Sequence, residues 1–127
     1  MSPANIEGHL KSASPLIGAA VAIGDNRPYN VALFTLDPDF APVWAQQQGL
    51  EEDDIAALAG SDRVREALQT AVDEANEKLA RVEQIKKFAI LPEIWMPGGD
   101  ELTPTMKLKR KPIDAKYSEQ IEGLYGE

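Results

Sequence analysis

Apolar positions change their spacing several times along this chain, and each change marks an element. Ile6 and Leu10 stand one helical turn apart behind Ser2-Pro3, a capping residue followed by proline at the first helical position. A helix is therefore expected over 3–12, ending before Ser14-Pro15. Residues 16–23 are small and apolar, Gly24-Asp25-Asn26-Arg27-Pro28 interrupts them, and 30–36 resume the run. Two apolar runs around such a turn predict an antiparallel hairpin. Gly18, inside the first run, marks a bulge or a close backbone approach.

Phe40, Val43 and Trp44 then have helical spacing, with Asp37 or Asp39 as cap and Gly49 as the stop. Four carboxylates follow in 51–54, placed to open a second short helix over 53–58. A carboxylate run of this kind is usually a solvated face, and no glycine at calcium-loop spacing follows it. Val64, Leu68, Ala71, Val72, Ala75, Leu79 and Val82 form one stripe at steps of three, four and seven residues. Ser61 caps that pattern, which predicts an amphipathic helix over 62–80 lying on a sheet. A third strand is expected over 87–91, ended by Pro92. Ile94-Trp95-Met96 is an apolar patch before the turn Pro97-Gly98-Gly99-Asp100. A last helix starts near Pro112-Ile113-Asp114, with Ile113, Tyr117, Ile121 and Leu124 on one face and Gly126 at its close. The order predicts an α+β fold: a small, mainly antiparallel three-stranded sheet with flanking helices.

Composition narrows the function classes. The length of 127 residues suits a single domain. A net charge of -8 argues against nucleic acid as a partner. There is no cysteine for disulfides or thiolate chemistry, which suits a reducing cytosol. His9 is the single histidine, so a metal site built on several imidazoles is excluded and no metal ligands are assigned. No apolar run approaches the roughly 20 residues of a membrane span. Met1-Ser2-Pro3-Ala4 does not read as a signal peptide.

Against this acidic background, four of the six residues from Met106 to Lys111 are basic. Thr103-Pro104-Thr105 stands just before them. Pro104 fixes its own φ and disfavours helix at Thr103, so Lys107 follows a stiff turn. On an extended segment Lys107 and Lys109 share a face while Leu108 packs inward.

The segment Glu-Leu-Thr-Pro-Thr-Met-Lys-Leu-Lys-Arg-Lys, residues 101–111, resembles the C-terminal lysine motif of AMP-forming acyl-CoA synthetases, in the form of the long-chain fatty-acid–CoA ligase branch. Other branches carry a Gly-Lys pair where this chain has Met106-Lys107. The resemblance extends through Lys116-Tyr117 and Ile121-Glu122-Gly123-Leu124-Tyr125. Upstream it takes in Ser2-Pro3-Ala4-Asn5-Ile6-Glu7, Gly24-Asp25-Asn26-Arg27-Pro28-Tyr29 and Val31-Ala32-Leu33-Phe34-Thr35-Leu36-Asp37.

The resemblance implies that residues 1–127 are the C-terminal lid domain of an adenylate-forming enzyme. The large N-terminal adenylation domain would lie outside this chain, with Met1 as an added start. It implies Lys107 as the catalytic lysine of ATP-dependent acyl-adenylate formation. Bringing a carboxylate to the α-phosphate sets two anions together, and a positioned ammonium lowers that barrier. Lys109 and Arg110 are candidates for the phosphates of the nucleotide or of CoA, or else serve only solubility and the last helix. After rotation the lid would complete part of the CoA site. The implied cofactors are ATP, Mg2+ held mainly by the N-terminal domain, and CoA as co-substrate, with a fatty acid as the acyl donor. Alone, the domain is expected to be inactive. The parent is expected in the cytoplasm, with peripheral membrane association left open. Two alternatives stand beside this: a free-standing small binding module, and the lid of a fatty acyl-AMP ligase that loads a carrier protein.

Overall fold

A computed structural model describes residues 2–126; Met1, the expected added start, lies outside them. The chain divides into two compact units, one running to Ile94 and one starting at Trp95. Among the described residues no helix is long and apolar enough to cross a membrane.

The first unit contains α1 (Pro3–Ala13), β1 (Ile17–Ile23), β2 (Asn30–Leu36), α2 (Phe40–Gln47), α3 (Ile55–Ala59), α4 (Asp62–Lys78) and β3 (Ile85–Leu91). The strands lie in the order β1-β2-β3. β1 and β2 form the expected antiparallel hairpin, from Ile17 opposite Leu36 to Ile23 opposite Val31. β3 instead runs parallel to β2, with Val31 beside Lys87 and Thr35 beside Leu91. The sheet is therefore mixed, where a mainly antiparallel one was expected. The reason is the connection: α2, α3 and α4 carry the chain back so that it enters beside β2 in the same direction, and only such a long crossover can join parallel neighbours. With a neighbour on each edge, β2 is buried along its whole length.

The core forms where the helical stripes meet this sheet. Ile6 and Leu10 of α1, Val64, Leu68, Ala71, Val72 and Ala75 of α4, and Phe34 and Phe88 of the sheet belong to one buried cluster. In α2 the buried pair is Ala41 and Ala45, with Phe40 and Trp44 packed beside it and Val43 exposed. Small residues at the centre of that face let the helix approach closely. Asp37 is its capping side chain: Oδ1 accepts from the N–H groups of Asp39 and Phe40, each at 2.9 Å. Ser61 precedes α4 as expected but makes no capping hydrogen bond with its side chain.

The stripe of α4 stops at Leu79, whose extended backbone ends the helical phase. Val82 falls in the following tight turn and is 81% exposed, where the sequence pattern placed it in the core. Asn76 then does the work of a strand neighbour. Its Oδ1 accepts from Ile85 N–H at 2.9 Å and its Nδ2 donates to Ile85 C=O at 3.0 Å. β3 consequently begins at Ile85, two residues before the apolar pattern suggests.

Gly18 meets both of its expectations. The register shifts between Ile17 and Ala19, and the freed Ala19 N–H donates to Thr35 Oγ1 at 2.9 Å. A Cβ on Gly18 would sit 2.9 Å from Leu36 O and 3.2 Å from Asp37 N. These are backbone atoms of the adjacent strand and cannot turn aside. Gly18→Ala is expected to cost about 1–3 kcal/mol through overpacking, read as a lower denaturant midpoint.

The second unit contains α5 (Arg110–Lys116) and α6 (Ser118–Tyr125), preceded by an irregular segment. The single last helix of the sequence pattern is two, because the backbone leaves helical values at Tyr117 (φ -108, ψ 24). The apolar face survives that break: Ile113, Tyr117 and Ile121 are buried together with Trp95 and Leu102.

Candidate functional site

Residues 101–109 fold as a short hairpin. At its open end Lys109 N–H donates to Glu101 C=O at 2.8 Å, Leu102 and Leu108 form an antiparallel bridge, and near the tip Thr103 N–H donates to Lys107 C=O at 2.8 Å. Met106 N–H returns to Thr103 C=O at 2.9 Å and closes the turn. Lys107 N–H donates to Thr103 Oγ1 at 3.0 Å. Both peptide groups of Lys107 are thus tied to Thr103, and its side chain stands exposed at the tip.

Pro104 contributes the fixed φ of the turn. Met106 takes a left-handed conformation at φ 69. That is the backbone region glycine enters without penalty, and other L-residues at a cost of roughly 1–2 kcal/mol. This explains why a Gly-Lys pair serves the same spot in other branches. Met106 is 59% exposed, so its side chain repays little of the strain. Met106→Gly is expected to raise stability by up to ~1 kcal/mol, read as a higher thermal midpoint; Met106→Val should lower it.

The other two basic candidates sit differently. Lys109 is half-buried and its Nζ donates to Gly99 C=O at 2.9 Å, which ties the hairpin base to the preceding turn. Arg110 is the first residue of α5 and is half-buried. Leu108, between Lys107 and Lys109, is half-buried as Lys109 is, so burial does not show the expected alternation with both lysines on one exposed face. Of the three cations Lys107 is the most exposed, and its own peptide groups are what tie it to Thr103.

A polar cluster that the sequence pattern did not single out lies at the base. Glu101 is 6% exposed. Its Oε2 accepts from Lys116 Nζ at 2.6 Å and from Tyr117 OH at 2.8 Å. Tyr117 OH in turn accepts from Trp95 Nε1 at 3.0 Å, and the two rings are 5.7 Å apart. The hydrogen bond that Lys116 donates to Glu101 holds this ammonium above its ordinary pKa, and the negative charge of Asp100 at 3.6 Å adds to it. Trp95 is therefore an internal residue of this unit, while Ile94 and Met96 on either side of it are exposed.

In the first unit a cleft of about 510 Å³ opens beside the β1–β2 turn. Arg27, Arg81 and Lys86 line it together with Tyr29 and Val82, and no carboxylate does. In a chain of net charge -8 this is a local reversal of sign. Nothing in the linear sequence signals it, because Arg27 and Arg81 come together only through the crossover.

The family described as AMP-binding enzyme C-terminal domain matches residues 1–127. The chain is 54% identical over 125 residues to a Mycobacterium tuberculosis protein named as the fatty-acid–CoA ligase FadD11, a match covering 98% of this chain and 22% of that one. It is 38% identical over 126 residues to the long-chain-fatty-acid–CoA ligase FadD15 of the same organism, covering 98% of this chain and 21% of FadD15. The chain thus spans about a fifth of the length of the curated relatives it matches. Among solved structures, the A domain of carboxylic acid reductase from Segniliparus rugosus, in complex with AMP and a carboxylic acid, superposes with a TM-score of 0.73 at 20% identity, over 99% of this chain and 18% of that one. The anthranilate CoA ligase AuaEII in complex with anthranoyl-AMP gives 0.55 at 18% identity, over 91% of this chain and 18% of that one. Those two likenesses concern the fold. With the family matched from end to end, the chain belongs to the AMP-binding enzyme C-terminal domains, and the two relatives above are named as fatty-acid–CoA ligases.

Proposed function

We propose that the chain works as the C-terminal lid of an AMP-forming long-chain fatty-acid–CoA ligase and that Lys107 is the catalytic lysine of acyl-adenylate formation. The observation that carries this is the presentation of Lys107. It is an exposed ammonium at the tip of a proline-stiffened hairpin, with both of its peptide groups tied to Thr103. An ammonium in water stabilises an anion weakly, because solvent screens it. Covered by an adenylation domain, the same charge would act at low dielectric on the α-phosphate oxygens as the fatty-acid carboxylate attacks. The lid reading therefore explains both the rigid backbone and the exposed side chain.

ATP and Mg2+ would be held chiefly by the adenylation domain of the parent ligase. Here the nucleotide would meet Lys107. Lys109, Arg110 and the cations lining the cleft, Arg27, Arg81 and Lys86, are candidates to meet phosphates of the nucleotide or of CoA. In the second half-reaction the lid, rotated, would form part of the CoA site.

The test separates the two half-reactions in the full-length ligase. Acyl-adenylate formation is followed from ATP and fatty acid, and thioester formation from preformed acyl-adenylate and CoA, for the unaltered ligase and for Lys107→Ala. Loss of the first with survival of the second supports the assignment. Equal rates in both variants remove it. If the unaltered ligase passes its acyl group to a carrier protein and not to free CoA, the ligase is an acyl-AMP ligase and the CoA part of the proposal falls.

A further inference from the structure

Glu101 is a buried carboxylate that the chemistry above leaves without a task. Burying a charge is costly unless it is paired and hydrogen-bonded, so its partners show what it is held for. One side-chain oxygen accepts from both Lys116 Nζ, at 2.6 Å, and Tyr117 OH, at 2.8 Å, where α5 gives way to α6. Its main-chain carbonyl accepts from Lys109 N–H, at 2.8 Å, and forms the lowest rung of the hairpin that ends in Lys107. The same residue therefore grips the helices with its side chain and the hairpin with its backbone. Tyr117 is itself fixed, being 2% exposed and hydrogen-bonded to Trp95.

The hairpin needs such an anchor. Between its base and its tip it has the Leu102–Leu108 bridge and the Thr103–Lys107 pair, and a two-stranded hairpin on its own is marginal in water. The further ties, Pro97 bridging Leu102, Gly98 N–H donating to Leu102 C=O at 3.0 Å and Lys109 Nζ to Gly99 C=O at 2.9 Å, all lie towards the base. Leu102 is buried, but Lys107 and the turn residues Pro104 to Met106 are exposed. With the tip exposed, its direction is set from the base.

We propose that Glu101 is a positioning residue for Lys107, clamped by Lys116 and Tyr117 so that the hairpin presents the ammonium in one direction. The proposal rests on the assignment of Lys107 to adenylation. Neutralising Glu101 loosens the clamp and spreads the positions of Lys107. A misplacement of about 1 Å costs up to a hundredfold in rate. Because the loss arises in the transition state, kcat falls and KM does not rise with it.

The experiment is a double-variant cycle in the full-length ligase: unaltered, Glu101→Gln, Lys107→Ala, and both together. The adenylation half-reaction supplies kcat and the KM for fatty acid, thioester formation from preformed acyl-adenylate is the control, and thermal unfolding is recorded for each protein. Glu101→Gln is expected to lower adenylation kcat about tenfold, with KM and the control within about twofold. In the Lys107→Ala background it is expected to change nothing further, since a group acting through Lys107 has nothing left to position. Tyr117→Phe, which removes one donor and keeps the ring, is run through the same cycle and is expected to act in the same direction with smaller size. It carries the test if Glu101→Gln does not fold.

An unchanged kcat in Glu101→Gln, or a loss of equal factor with and without Lys107, overturns the positioning role. A loss in Lys107→Ala with no loss in Glu101→Gln or Tyr117→Phe overturns the positioning role alone. No loss in Lys107→Ala removes the assignment of Lys107 and the positioning role together.

Discussion

Lys107→Ala should lower acyl-adenylate formation by about a hundred- to a thousandfold, corresponding to ~3–4 kcal/mol of transition-state stabilisation. The size follows from the chemistry. The attacking carboxylate and the α-phosphate are both anionic, and charge gathers on the phosphate oxygens as the bond to pyrophosphate breaks. On the proposed reading, one positioned ammonium with three donors would meet that charge in a site closed to water. Thioester formation would take place at the uncharged acyl carbonyl of the acyl-adenylate and would use a different face of the lid, so on the same reading it should survive. Stability should move by less than about 0.5 kcal/mol, because an exposed side chain held only through its backbone is being shortened. Lys107→Arg should not restore the rate, since a planar fork on a longer stem cannot place a point charge at the same spot. Half-reaction rates with a thermal melt on the same samples decide all four points.

Phe34→Ala should cost about 3–5 kcal/mol and bring the fold near its threshold. Phe34 is fully buried on β2, the strand with neighbours on both edges. Its ring lies 5.4 Å from that of Phe88 at an interplanar angle of 58°. Phe88 is in turn covered by the Arg65 guanidinium, 4.4 Å from the ring centre. Removing Phe34 opens a cavity in the buried cluster where helices meet the sheet. A denaturant midpoint that falls at constant slope would show the loss. Val82→Ala is the contrasting case: at 81% exposure it should change stability by less than about 0.5 kcal/mol.

Val82 also shows where a linear pattern stops being informative. The stripe from Val64 to Leu79 reads correctly because its members recur about one helical turn apart, with Ala71 and Val72 side by side on the same face. Its extension to Val82 fails because Leu79 leaves helical backbone, an event no spacing rule records. The β1–β2 hairpin was legible for the same local reason: its turn residues and both strands are adjacent. The direction of β3 was not, since an apolar strand looks the same whichever way it runs beside its neighbour. At the candidate site, the turn before Lys107 was legible from Pro104. The left-handed Met106 was not, because methionine carries no signal for it. Glu101 was hidden most fully. The sequence places it only as the first residue of the lysine motif, and it is the closing of α5 that brings Lys116 and Tyr117 onto its side chain.

The parallel pairing of β2 with β3 has a consequence during synthesis. β2 is finished at Leu36, and its hairpin with β1 can close within microseconds of leaving the ribosome. Its other edge must wait for Leu91, and at roughly 5–20 residues per second that is a delay of several seconds. Throughout it, Val31-Ala32-Leu33-Phe34 offers unpaired backbone beside apolar side chains, the combination that recruits foreign strands. The most buried strand of the finished domain is thus the most vulnerable one of the nascent chain. Slowing translation between Asp37 and Gln84 should lower soluble yield without changing a single residue of the product.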